Sequence, residues 1–136
     1  MSLSLVRSAF ESRLAIWAAA RTPALPIVWE NAKASPALPY LRALLLPAPT
    51  TSETLDGLHR AYRGVFQVSV VAPIDGGPGV ASGIADELAA LFPMDLRLPS
   101  GVLTVQVTRP ASAAPALQHE SDYTVPVSLS YRADTT

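Results

Sequence analysis

His59 and His119 are the only imidazoles in the chain, and each stands beside carboxylates: Asp56 three residues before His59, Glu120 directly after His119. Two histidines with acids could supply a general base or part of a metal site. A metal site needs three or four converging ligands, and nothing in this spacing gathers them, so solvated loop histidines are the expectation. The run Gly76-Gly77-Pro78-Gly79-Val80-Ala81-Ser82-Gly83 follows a strand pattern and opens a helical one, where a phosphate could rest on a helix N-terminus. No Lys follows the glycines as a P-loop requires, and Ser82 stands where a dinucleotide fingerprint needs its third glycine. Within Gly79-Val80-Ala81-Ser82-Gly83 the serine is also in the wrong slot for a nucleophile elbow. The absence of cysteine excludes disulfides, thiolate catalysis and cysteine-ligated zinc. No catalytic residue, no cofactor and no metal are therefore expected, and an activity lost on replacing His59 or His119 would be needed to revive an enzyme.

The elements that would have to position any site are read from apolar periodicity. Leu3, Val6, Phe10, Leu14 and Trp17 recur at steps of three or four, which predicts an amphipathic helix over Leu3 to Ala20 with Trp17 in the core. Pro23 and Pro26 stop it near Arg21. Ile27 to Trp29 reads as a short extended piece, and Tyr40 to Leu46 as an apolar strand closed by Pro47-Ala48-Pro49. The polar stretch Thr50 to Ala61 reads as a loop or hairpin crossing solvent. A strand follows over Gly64 to Ala72, with Phe66, Val68, Val70 and Ala72 alternating against Val65, Gln67, Ser69 and Val71. Pro73 to Gly79 is a turn, and Val80 to Leu91 a second helix that ends before Pro93. Leu103, Val105 and Val107 share one face of the next strand; Tyr123, Val125, Val127, Leu129 and Tyr131 do so in the last. The pattern predicts an α+β fold: a two-layer sandwich, mainly an antiparallel sheet of four or more strands with two helices packed on one face and small uncharged polar groups on the other.

Length and composition bound the rest. A chain of 136 residues fits one domain, residues 1–136. Its net charge of −1 offers no long-range attraction for nucleic acid, so direct nucleic-acid recognition is not expected. Apolar runs stop well short of the roughly 20 residues a bilayer span needs, and Glu11 and Arg13 interrupt the place of a signal-peptide core. Hydrophobic residues make up 49% and charged ones only 15%, against about 25% in ordinary soluble domains. Self-association is the simplest use of that surplus apolar surface, since interface cores are depleted in charge.

Four segments carry a family likeness. Ile27-Val28-Trp29-Glu30-Asn31, Tyr40-Leu41-Arg42 with Leu45-Leu46-Pro47-Ala48, Tyr62-Arg63-Gly64-Val65-Phe66-Gln67-Val68-Ser69-Val70, and Tyr123-Thr124-Val125-Pro126-Val127-Ser128-Leu129-Ser130-Tyr131-Arg132 resemble, in order and spacing, the tail-terminator family of long-tailed phages. The chain departs from that pattern at Ala32, Lys33 and Ala34, where the family often carries a bulky aromatic. The resemblance implies a structural protein of the virion tail, assembled in the bacterial host cytoplasm. It would act as a homohexameric ring on the head-proximal end of the tail tube, stop tube growth, and present a surface to the head–tail connector. Its partners would be itself, the tail tube protein and the neck protein. Another phage neck or minor tail component of related fold is the alternative.

Within this reading the candidate interface residues are Glu30, Asn31, Arg42, Arg60, Arg63, Asp75 and Arg132. Arginine forks could pair with carboxylates across a subunit boundary, or could simply solvate sheet edges, which is the more ordinary outcome. Trp29-Glu30-Asn31 could likewise be an exposed interaction turn, although a core Trp29 and an Asn31 bonded to its own backbone are favoured. Residues 1–63 carry seven basic and four acidic side chains, residues 64–136 three and seven, which raises opposite-signed lateral surfaces as a further expectation.

Overall fold

Val6, Phe10, Leu14 and Ala18 follow one another at four-residue steps along α1 (Ser2–Ala20), and all four are buried. This is the stripe that a period of 3.6 residues lays along one helix face. In the computed structural model, which describes residues 2–21, 24–30, 39–50, 61–74, 78–118 and 122–135, that stripe rests on a seven-stranded sheet. The strands are β1 (Ile27–Val28), β2 (Tyr40–Pro47), β3 (Ala61–Pro73), β4 (Arg97–Ser100), β5 (Leu103–Ala113), β6 (Leu117–Gln118) and β7 (Asp122–Thr135). Helix α2 (Pro78–Leu91) joins β3 to β4. The expected α+β class and the two helices on one face hold.

The sheet is mainly antiparallel, as expected, but it is not a plain two-layer sandwich. Its order is β1-β2-β3-β7-β5-β4, and β1 lies parallel to β2, so the sheet is mixed; it is also curled into a half-barrel. Two features account for the curl. Long strands accumulate right-handed twist, and β3 pairs with β7 over thirteen residues each. β5 breaks register between Val107 and Arg109 and again between Arg109 and Ser112, and such bulges bend a strand. β4 and β6 were not legible as strands because they are short and carry no clean alternation. β5 also runs on through Pro110, a residue that reads as a strand end but is tolerated where the ladder is already broken. Pro126 sits inside the central strand β7 for a related reason. Its carbonyl accepts from Ala114 N at 2.8 Å on the β5 side, so its missing donor faces that irregular ladder rather than β3.

The core lies between the inner sheet face and the helices. Phe10 stacks on Phe66 with ring centroids 4.8 Å apart, and meets Phe92 and Tyr131 edge-on at 5.9 and 5.5 Å. The ends of α1 reach past this core: Leu3 is 38% exposed, and Trp17, expected inside, is half-buried at the margin. Trp29 is half-buried against the same margin, closer to the packed reading than to an exposed anchor.

Three arginines fix α1 in place. Arg7 Nη1 reaches Glu30 Oε1 at 2.8 Å, Arg21 Nη2 reaches Glu87 Oε2 at 2.8 Å, and Arg13 Nε donates to the carbonyl of Leu91 at 2.8 Å. The last of these puts a cation on the C-terminal carbonyls of α2, where the helix dipole favours it. Because Arg21 and Glu87 come from opposite halves of the chain, and Arg63 of the first half lies opposite Arg132 of the second, the charge asymmetry of the two halves interleaves on folding.

Gly83 occupies the middle of α2, exposed, with open space among the described residues where a Cβ would stand. Glycine in a helix interior costs about 1 kcal/mol relative to alanine. Gly83→Ala is therefore expected to stabilise the folded chain by about 0.5–1 kcal/mol, read as a rise of about 2–4 °C in a calorimetric melt.

Candidate interaction surface

Alternation in β2, β3, β7 and β5 sends Leu41, Phe66, Leu129 and Val105 inward, and register then lines up what faces outward. Across the outer face run Arg42, Ser69 and Pro126; then Leu44, Gln67, Ser128 and Ser112; then Leu46, Val65, Ser130 and Arg109; then Arg63, Arg132, Gln106 and Arg97. The middle of this face carries serine, glutamine, leucine and valine, with Arg109 at its β5 margin, and the remaining arginines collect at the two ends. An uncharged centre with arginines around it has the low charge and the arginine enrichment of a protein interface, while its serines are the polar groups of an ordinary sheet face.

The structure thus brings Arg42, Arg63 and Arg132 onto one face. Arg63 and Arg132 are direct register partners, a juxtaposition of like charge that is unfavourable by itself. Asp134 moderates it, with Oδ2 2.9 Å from Arg132 Nε. Arg42 lies at the opposite end, with Nη2 3.4 Å from the Tyr40 hydroxyl and the guanidinium 6.0 Å from that ring's centroid. At the bulge in β5, a shallow depression of about 350 Å³ is lined by Val65, Arg109, Pro110, Ser112, Ser128 and Ser130. Arg109 and Arg97 are the exposed ends of the third and fourth rows. Sequence reading missed both, because neither lies in a family-like segment and the bulge that turns Arg109 outward leaves no periodic trace.

Glu30 is placed elsewhere, with an internal role. Its Oε1 accepts from the backbone of Leu45 at 2.7 Å as well as from Arg7. β1 covers β2 only as far as Arg42, so this carboxylate takes the position that a longer β1 would fill, and Pro47 offers no donor farther along the edge. A sheet edge closed in this way resists unwanted strand pairing. The Leu45 hydrogen bond, followed by the single Arg7 hydrogen bond, holds the Glu30 carboxyl below the usual carboxylate range; the Arg21 fork does the same for Glu87. Burial pushes neighbouring Glu11 the other way.

A depressed carboxylate contributes stability that is complete above its unfolded value and lost as pH falls through its folded one. Glu30 and Glu87 therefore weaken the fold below about pH 4.3, while Glu11, with its raised value, opposes that loss. Glu30→Gln, which keeps an acceptor for Leu45 but gives up the ion pair, is expected to cost about 1 kcal/mol at pH 7 and less at pH 3, where part of the wild-type carboxylate is protonated. Urea midpoints at the two pH values check this; an equal loss at both would contradict the assignment.

Asn31, Arg60 and Asp75 lie outside the described residues, as do His59, His119, Asp56, Glu120 and the segment Ala32 to Ala34. Of the glycine run, Gly79, Ser82 and Gly83 are exposed on α2. Among the described residues no group of three or more His, Cys, Asp or Glu side chains could hold a metal ion, and no helix is long and apolar enough to cross a membrane.

A family model described as phage tail terminator protein matches residues 5–131. No curated protein matches. A solved structure whose own name is silent about function is 51% identical, covers 98% of this chain and 96% of its own, and superposes with a TM-score of 0.85. A match spanning both helices, six strands and most of β7 makes this a structural component of the virion tail, and the chain belongs to the phage tail terminator protein family.

Proposed function

We propose that the protein caps the head-proximal end of the tail tube as a homohexameric ring, halting tube polymerisation and presenting the surface to which the head–tail connector binds. The observation that carries this reading is the family match over residues 5–131, and the outer sheet face suits it. A closed ring uses heterologous contacts, so each subunit commits two patches to its neighbours and keeps its end faces for tube and neck. A face with an uncharged middle and arginines around it fits one such patch. No cofactor and no catalytic residue enter the function.

The test is capping. Purified protein added to growing tail tubes is expected to stop elongation and to leave a ring of density on one end in electron micrographs. Tubes that lengthen unchanged in its presence would overturn the reading. Binding to connector complexes without any effect on tubes would instead favour another neck component.

A further inference from the structure

Two exposed charges of opposite sign, Asp86 on α2 and Arg109 on the outer sheet face, sit on surfaces that hold no ion pair for them among the described residues, a condition they share with Arg97. Asp86 is the one charge on an otherwise small-residue surface, with Gly79, Ser82, Gly83 and Ala90 around it. Glu87, its neighbour, is already held by Arg21. Arg109 borders the 350 Å³ depression whose walls, Ser112, Ser128 and Ser130, carry hydroxyls and no charge. Each surface has what the other lacks.

We propose that α2 of one subunit docks on the outer sheet face of the next, with Asp86 entering the depression beside Arg109. This rests on the ring reading and names its lateral contact. The occupant is a second copy because both halves of the contact lie on one chain, on different elements, which is the requirement for a head-to-tail ring. Their charges are complementary, and a carboxylate placed beside a guanidinium and serine hydroxyls gains charge-assisted hydrogen bonds. Gly83 supplies an independent argument. The folded chain gives no steric reason for a glycine there, since a Cβ would stand in open space among the described residues. A neighbour's sheet packed closely against this helix face would give one. Gly79 is open in the same way.

Charge exchange tests it. Asp86→Arg and Arg109→Asp are both exposed substitutions and are expected to leave the melting temperature nearly unchanged. Each alone should weaken ring formation by more than about tenfold, since like charges facing each other across an interface are strongly unfavourable. The double variant, which restores the pair with its signs reversed, should regain assembly. Gly83→Gln should fold and fail to assemble. The readouts are sedimentation of the protein alone and the fraction of tail tubes that carry a cap. If the single variants cap as well as the unaltered chain, or if the double variant stays as defective as the singles, the contact is refuted while the ring stands. If the unaltered chain itself never caps tubes, the ring reading falls and takes the contact with it.

Discussion

Replacing Phe10 with alanine is expected to destabilise the fold by about 4 kcal/mol, because a buried Phe→Ala change costs about 3–5 kcal/mol and this ring sits where the packing is densest. Phe10 is fully buried and touches three other aromatic rings, stacked on Phe66 and edge-on to Phe92 and Tyr131. Those three come from β3, the segment after α2, and β7, so one side chain of α1 ties together elements from the whole length of the chain. Aromatic pairs add about 0.5–1.5 kcal/mol beyond the area they bury, which puts the change in the upper part of its range. The void would be walled by rigid rings that cannot collapse into it. Urea denaturation should show a lower midpoint with little change in slope. A loss below about 2 kcal/mol, under the usual range for such cavities, would mean that α1 shifts to refill the site. Phe10→Leu, which keeps most of the apolar volume, should recover more than half of the loss.

Most members of that hub were legible as inward-facing residues, whereas Phe92 and the contacts among the rings were not, and the interaction surface was legible only in part. Phe10, Leu14, Phe66, Val105 and Tyr131 fall at positions that period and alternation send inward, and all are buried. Such residues can be read because burial is a property of each element by itself. Arg42, Arg63 and Arg132 stand out in the sequence because they lie in the family-like segments; that they share the outer face follows from alternation together with register. What could not be read depends on pairing between elements. Nothing in the sequence says that Arg63 faces Arg132, since strand order and register set it. Arg109 turns outward because a bulge shifts the phase of β5, and a phase shift is invisible to a period-two pattern. Glu30 looked like an exposed contact residue because its turn is polar; its structural use depends on a strand edge fifteen residues away. The curl has the same origin, in bulges and strand length rather than in any local motif.

Gly64 carries the second large effect, and its cause is close approach rather than backbone conformation. It lies in β3 opposite Pro47 on one side and Tyr131 on the other. A Cβ built there would run into the carbonyl oxygen of Leu46, and would stand 2.9 Å from Pro47 Cα and 2.8 Å from the Tyr131 hydroxyl. Two of these three are backbone atoms in a paired strand and can yield only if the β2–β3 ladder opens. Gly64→Ala is therefore expected to cost about 3 kcal/mol, the upper end of what overpacking does to a core. The third neighbour allows a sharper test. The Tyr131 hydroxyl is buried, makes no hydrogen bond among the described residues, and has its pKa raised by burial. A buried polar group left unpaired costs about 1–3 kcal/mol, so Tyr131→Phe alone should stabilise the fold by about 1 kcal/mol. It also removes one of the atoms that obstruct a Cβ at position 64. In the double variant Gly64→Ala with Tyr131→Phe, the loss should be smaller than the sum of the single effects by at least about 0.5 kcal/mol, the coupling expected of side chains in contact. Strict additivity in a denaturation cycle would place the whole obstruction on the Leu46–Pro47 backbone. A neutral Gly64→Ala would show that β2 separates from β3 there at little cost, and that the glycine is dispensable to the sheet.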